Sequence, residues 1–408
     1  MIRDTPPRLR PSWVLLGPAF VAAIAYVDPG NVAANVSAGA QFGFLLVWVI
    51  VAANAMACLV QYLSAKLGLV SGMSLPEAVG RRMGRRNRLA YWVQAELVAM
   101  ATDLAEVVGG AIALYLLFDL PLLTGGVITG VVSLVLLVVK DRRGQQMFER
   151  VITGLLAIIA IGFVTSLFVA PPPVDEAAGG LLPMFEGTES VLLAAAMLGA
   201  TVMPHAVYLH SGLARDRHGH PDAGPMRRML LRVTRWDVGI AMVVAGAVNL
   251  SMLLVAATNL QGQENTDSIE GAHAAVAQTL GSTVALLFAI GLLASGLASS
   301  SVGAYAGAMI MAGLVHRSIP LVLRRLITLL PALAVLALGL DPSRALVLSQ
   351  VVLSFGIPFA LIPLIRLTSD RGLMGEDTNH RVTTALGWTV AVLISLLNVV
   401  LIYLTVTG

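Results

Sequence analysis

Eleven times along the chain, apolar residues run on for about twenty positions, and the polar residues collect in the connections between them. A helix crossing ~30 Å of hydrocarbon needs about 20 residues, so each run predicts one membrane span. The runs cover 13–38, 43–67, 90–117, 121–139, 151–170, 188–213, 233–258, 271–297, 319–340, 345–366 and 383–405. They are continuous and lack period-two alternation, which excludes a transmembrane β-barrel. Ala, Gly and Ser recur inside them, as close helix packing in a bundle requires. The pattern predicts an all-α membrane protein with 11 transmembrane helices in a single domain over 1–408.

Composition sharpens this. Of the 408 residues 57% are hydrophobic and only 12% charged, against about 25% charged in soluble proteins. A soluble enzyme, a disordered chain and a fibrous protein are excluded. All but one of the 26 basic residues fall at one face if the N-terminus is inside. They are Arg3, Arg8 and Arg10, then Lys66, the set from Arg81 to Arg88, Lys140 to Arg150, Arg215 to Arg235, Arg317, Arg324 and Arg325, and Arg366 to Arg381. Only Arg344 is left outside, where Glu186, Glu189, Glu264 and Asp267 gather. This positive-inside bias predicts a cytoplasmic N-terminus and an extracytoplasmic C-terminus, with the cell inner (plasma) membrane as the expected location. It also accounts for the high pI, so no nucleic-acid partner is expected. Cys58 is the single cysteine and excludes an intrachain disulfide. Ala23-Ile24-Ala25 resembles a leader cleavage site, but the apolar run continues past it, so cleavage is not expected.

Polar groups at hydrocarbon depth are costly, which makes each a functional candidate. The first span contains Asp28-Pro29-Gly30-Asn31. Pro29 and Gly30 should break the helix and free backbone carbonyls beside a carboxylate and an amide, an oxygen site for a cation. The bland alternative is a proline kink with a satisfied aspartate. The sixth span contains Gly199-Ala200-Thr201-Val202-Met203-Pro204-His205, a second break with a thioether and a histidine. His205 and His210 are five apart and do not make a two-histidine metal pair. Two breaks at matching positions of two halves point to an inverted-repeat transporter. The repeats would cover about 13–170 and 188–366, with an extra helix at 383–405.

Glu96, Asp103 and Glu106 form an acidic stripe on one face of the third span. Such a chain of ionisable groups suits proton movement. Structural ion pairs with internal arginines are the alternative. Ser349-Gln350 in the tenth span and Asn54 in the second are neutral and equally compatible with interhelical hydrogen bonds.

With Asp28-Pro29-Gly30-Asn31 and Met203-Pro204-His205 in place, one per half, the chain resembles the Nramp family of proton-coupled divalent metal transporters, and most its bacterial manganese-uptake branch. Thr102-Asp103-Leu104-Ala105-Glu106 and Ser349-Gln350-Val351-Val352-Leu353-Ser354 resemble the family's third and tenth helices. The resemblance implies a LeuT-like inverted repeat of 5+5 helices with helices 1 and 6 discontinuous. It implies that Asp28, Asn31 and Met203 hold metal by side chains, Ala25 and Ala200 by backbone carbonyls, and Gln350 in some conformations. It implies a proton route through Asp28, His205, Asp103 and Glu106, with Glu96, Arg217, Arg324 and Arg325 as further network members. Asn54 and Thr201 would be polar residues near the site. The sequence departs from the family at Gly356-Ile357-Pro358-Phe359, where Gln-Leu-Pro-Phe is common.

The chemistry of the residues agrees. A carboxylate and an amide accept hard ions, whereas a thioether favours softer transition metals. The expected cargo is Mn²⁺, with Fe²⁺ as a second substrate, moved with H⁺. No permanently bound cofactor and no obligate protein partner are expected, and the lipid bilayer is the surrounding medium. A transporter of an organic substrate such as an amino acid is the runner-up. An enzyme is not expected, because His-Glu-x-x-His is absent.

Overall fold

The computed structural model describes residues 17–263, 266, 268–316 and 319–407, without the side chains of 137, 139–143, 321 and 322. The start of the first predicted span, Arg3, Arg8, Arg10, Glu264, Asp267 and Arg317 lie outside the described residues, as do the side chains of Lys140, Arg142 and Arg143. Every regular element among the described residues is helical.

The first element is split into α1 (Pro18–Ile24), a tight helical turn (Ala25–Val27) and α2 (Pro29–Phe42). Then follow α3 (Val47–Ser71), the short α4 (Leu75–Arg82), α5 (Arg85–Phe118), α6 (Leu122–Arg143), α7 (Gln145–Val169) and the short α8 (Val174–Gly179). The second split element is α9 (Gly187–Thr201) with α10 (Pro204–His218). The chain continues through α11 (Pro225–Asn259), α12 (Ile269–Thr279), α13 (Ser282–Val315), α14 (Leu321–Ala337), α15 (Pro342–Thr368), α16 (Arg371–Met374) and α17 (Arg381–Thr407).

Eight helices among the described residues are long and apolar enough to cross a membrane, the α9–α10 pair counted as one. Three predicted spans fall outside those eight: the first, on the short apolar piece Pro18–Val27 and α2; the fourth, on α6, whose short apolar piece is Leu122–Leu136; and the ninth, on α14 of 17 residues. The eighth span differs from its sequence expectation of 271–297. Gly281, at φ +93°, turns the chain between α12 and α13, and the long helix begins at Ser282 and runs to Val315. A positive φ is accessible to glycine without a steric cost. Hydropathy does not register such a turn, so one apolar run covered two helices.

The split elements sit at the centre. α2 packs on α11, α9 and α15, and α9 packs on α15 and α3. Small residues permit this closeness: a Cβ on Gly199 would stand 1.9 Å from the backbone oxygen of Gln350, and one on Gly109 2.0 Å from Pro29.

Candidate functional site

Each break follows from a proline that removes an N–H. Pro29 cannot donate to the carbonyl of Ala25, nor Pro204 to that of Ala200. Both prolines stand at the first position of the resumed helix, where a missing N–H costs least. The preceding residues are extended, Asp28 at φ −72°, ψ 168° and Met203 at φ −63°, ψ 121°.

Asp28 caps α2: its Oδ1 accepts the backbone N–H of Asn31 at 2.7 Å and the Asn31 side-chain amide at 2.9 Å. That amide also donates to the carbonyl of Ala200 at 2.9 Å. Asn31 therefore joins the two breaks directly. Gln350 of α15 donates to the other carboxylate oxygen of Asp28 at 3.4 Å. Asp28, Asn31, Met203 and Gln350 are all 0% exposed, so this conformation closes the site to solvent. The amide oxygens of Asn31 and Gln350 have no hydrogen-bond partner among the described residues. Met203 caps α10 by position only, with no side-chain capping hydrogen bond.

The groups joined by hydrogen bonds are thus one carboxylate, two amides and the carbonyl of Ala200, with Met203 buried three residues further along the second break. Among the described residues no cluster of three or more His, Cys, Asp or Glu could hold a metal. A single negative charge with neutral oxygen and sulfur donors suits a divalent ion that must also leave. Ala25 ends α1 and Thr201 ends α9, both buried beside the breaks. Asn54 packs against Gly246 of α11, one turn from Asn249, and a Cβ on Gly246 would stand 2.5 Å from its amide nitrogen.

Next to this site lies the polar stripe of α5. Thr102 donates its one hydroxyl proton to the carbonyl of Val98 at 3.1 Å. Its hydroxyl oxygen also lies 3.2 Å from His205 Nδ1, a hydrogen bond that ties the His205 ring to α5. The far ring nitrogen, Nε2, is buried and has no hydrogen-bond partner among the described residues. Glu106 is fully buried, and among the described residues no N–H or hydroxyl group donates to either of its oxygens; its neighbour is the carboxyl group of Asp103. Gly303 of α13 leaves room for it, since a Cβ there would stand 2.9 Å from Glu106 Oε1.

The remaining acids are paired. Arg325 Nη1 donates to Asp103 at 2.5 Å, its Nε to Ser133 at 3.0 Å, and its other Nη to Ser300. Arg324 donates to Glu96 at 2.8 Å. Both arginines were read from charge as part of a connection, but α14 carries them inward, Arg325 to 1% exposure. A buried carboxylate stabilises a guanidinium that topology alone assigns to water. The stripe is therefore mixed: Glu96 and Asp103 are ion-paired, Glu106 is not. Arg217 pairs with Glu149 of α7 at 3.6 Å, a separate contact. His210 bonds Gln61 of α3 at 2.6 Å, so the two histidines of α10 serve different neighbours. Gly356, the departure from the family pattern, lets α15 approach Val98, 2.6 Å from a would-be Cβ, and Pro204 at 3.1 Å.

Sequence reasoning passed over Asn35, Asn249 and Ser295. Asn249 of α11 donates to the carbonyl of Tyr26 at 2.7 Å and accepts from Asn35 at 2.9 Å. Ser295 of α13 donates to the carbonyl of Val27 at 2.5 Å. The available signal was Asn249, an amide in the apolar part of the seventh span beyond Asp237.

Comparison with known proteins bears on the whole chain. Residues 19–404 match the family model described as natural resistance-associated macrophage protein-like. The divalent metal cation transporter MntH of Mycobacterium tuberculosis H37Rv is 73% identical over all 408 residues, covering 95% of that protein. A crystal structure of the Eremococcus coleocola manganese transporter superposes with a TM-score of 0.85 at 32% identity, covering 97% of this chain and 88% of that one. Mhp1, a nucleobase-cation-symport-1 family transporter, shares only the fold, with a TM-score of 0.60 at 17% identity over 95% of this chain and 90% of its own. The chain thus belongs to the Nramp family, membrane transporters on a LeuT-like fold.

Proposed function

We propose that the chain is a secondary transporter that imports divalent transition metal ions, Mn²⁺ and also Fe²⁺, together with protons. The observation that carries this reading is the hydrogen bond from Asn31 to the Ala200 carbonyl, which brings the Asp28 carboxylate and the Met203 segment of the two breaks to one buried point. The metal-transporting relatives support the same cargo. Asp28, Asn31, Met203 and the carbonyls of Ala25 and Ala200 would hold the ion, with Gln350 joining through its unpaired amide oxygen.

Metal binding needs Asp28 ionised, so ion and proton compete for one carboxylate. The proton leaves to His205 or to Glu106 beside the site. It then passes along α5 by Asp103–Arg325 and Glu96–Arg324. The charge bias supports a cytoplasmic N-terminus and an extracytoplasmic C-terminus in the plasma membrane, so this route ends inside. An organic substrate such as an amino acid would need room between the breaks, and there Asn31 already spans them.

Uptake into proteoliposomes tests the reading. Mn²⁺ entry should accelerate with acid outside and carry protons in, whereas Glu106→Gln should still bind Mn²⁺ but lose the accompanying proton flux. Mn²⁺ entry that ignores the pH gradient and moves no protons would refute the coupling.

A further inference from the structure

A broken helix leaves carbonyls whose N–H partners have gone. In the first break three are affected: Ala25, because Pro29 has no N–H, and Tyr26 and Val27, because the chain leaves the helical path at Asp28. Asn31 N–H, which would have reached Val27, turns to the Asp28 carboxylate instead. Two of the three carbonyls are then taken up by side chains from opposite walls. Asn249 of α11 bonds Tyr26 O at 2.7 Å, and Ser295 of α13 bonds Val27 O at 2.5 Å. Asn249 is 1% exposed and Ser295 0%. Asn249 is itself held by Asn35, one turn beyond Asn31 on α2, so its amide ties the turn before the break to the helix after it. Among the described residues no side chain donates to Ala25 O.

This accounting bears on selectivity. Ca²⁺ takes six to eight oxygen ligands, and Mg²⁺ is likewise an oxygen-seeking ion. A broken helix offering three carbonyls beside a carboxylate and two amides would suit those ions. We propose that Asn249 and Ser295 are specificity-determining positioning residues: by engaging the carbonyls of Tyr26 and Val27 they keep the metal site poor in hard oxygen and weight it towards the Met203 thioether. Discrimination against Ca²⁺ then depends on two walls of the bundle as well as on the ligands themselves. The inference rests on the divalent-metal reading above and deepens it.

A purely structural role, the satisfaction of two buried carbonyls, predicts something different. It predicts lost stability with an unchanged preference between ions. The test therefore measures preference. Mn²⁺ and Ca²⁺ are titrated calorimetrically onto the full-length protein in detergent, and Ca²⁺ inhibition of Mn²⁺ uptake is measured in proteoliposomes. Asn249→Ala and Ser295→Ala should each shift the Mn²⁺-to-Ca²⁺ affinity ratio towards Ca²⁺ by about tenfold, as an added oxygen ligand would. Ser295→Thr keeps the hydroxyl and should keep the original ratio. The two alanine variants act on different helices, so either one that remains monodisperse gives the answer. An unchanged ratio with Mn²⁺ binding intact overturns the proposal alone, as does an equal shift in Ser295→Thr. Failure of the unaltered protein to bind Mn²⁺ overturns the functional reading and this proposal with it.

Discussion

The two broken helices solve one backbone problem with opposite chemistry. Both resume on a proline after an extended residue. At the first break that residue is Asp28, whose carboxylate caps α2 and is held by Asn31 and Gln350. At the second it is Met203, whose side chain makes no capping hydrogen bond. An aspartate is among the best helix caps, and methionine is not one. The first break is thus stabilised by the same group that, in the proposed function, would offer a charge to the metal ion. The second forgoes a cap and offers a soft donor. A helix terminus left less stable than it could be points to a demand other than folding.

Breaking this contrast at its charged side should have the largest effect. Asp28→Asn keeps a good cap, so helix content and thermal stability should stay near those of the parent. Mn²⁺ uptake should nonetheless fall by at least about 100-fold, because the ligand charge is gone. Circular dichroism with radiotracer uptake checks both halves, and substantial transport by this variant would mean that the carboxylate serves only as a cap.

The two glycines beside the breaks give an intermediate test. A Cβ at Gly199 would meet the backbone oxygen of Gln350 at 1.9 Å, whereas one at Gly30 would meet its side chain, the amide nitrogen at 1.7 Å and Cγ at 2.8 Å. A side chain can move where a packed backbone does not. Gly199→Ala should cost about 1–3 kcal/mol of stability. Gly30→Ala should cost less stability and act on metal affinity by displacing Gln350 from Asp28. Thermal denaturation with Mn²⁺ titration separates the two, and equal melting losses would contradict the distinction.

The smallest effect is expected at the uncapped side. Met203→Ser supplies the missing cap and should stabilise α10 by about 1 kcal/mol. It should retain part of the Mn²⁺ uptake while letting Ca²⁺ compete, since oxygen has replaced sulfur. A variant that is more stable and just as selective would show that the thioether is not used for discrimination.

Legibility in the sequence divides along similar lines. Asp28, Asn31, Met203 and His205 were readable because proline and polar residues inside an apolar run are anomalous wherever the chain folds. The acidic stripe was readable as a stripe, but which of its members lacks an arginine was not. That depends on α14 bringing Arg324 and Arg325 to Glu96 and Asp103, across more than 200 residues of chain. Asn54 and Gln350 had the same standing as neutral amides in spans. One packs on Gly246 and the other donates to Asp28, because helix rotation, not residue type, sets the face that meets a neighbour.

The sequence by itself determined the solvent, the helical class, the charge asymmetry and the two breaks. Each follows from local composition or from a proline's missing N–H, and neither depends on distant contacts. Tertiary structure alone decided that the breaks meet, that Asn31 bridges them, that the arginines of α14 go to Glu96 and Asp103 and not to Glu106, and that two of the freed carbonyls are held by Asn249 and Ser295. Those are questions of which donor reaches which acceptor, and in a close-packed bundle only the three-dimensional arrangement of the helices answers them.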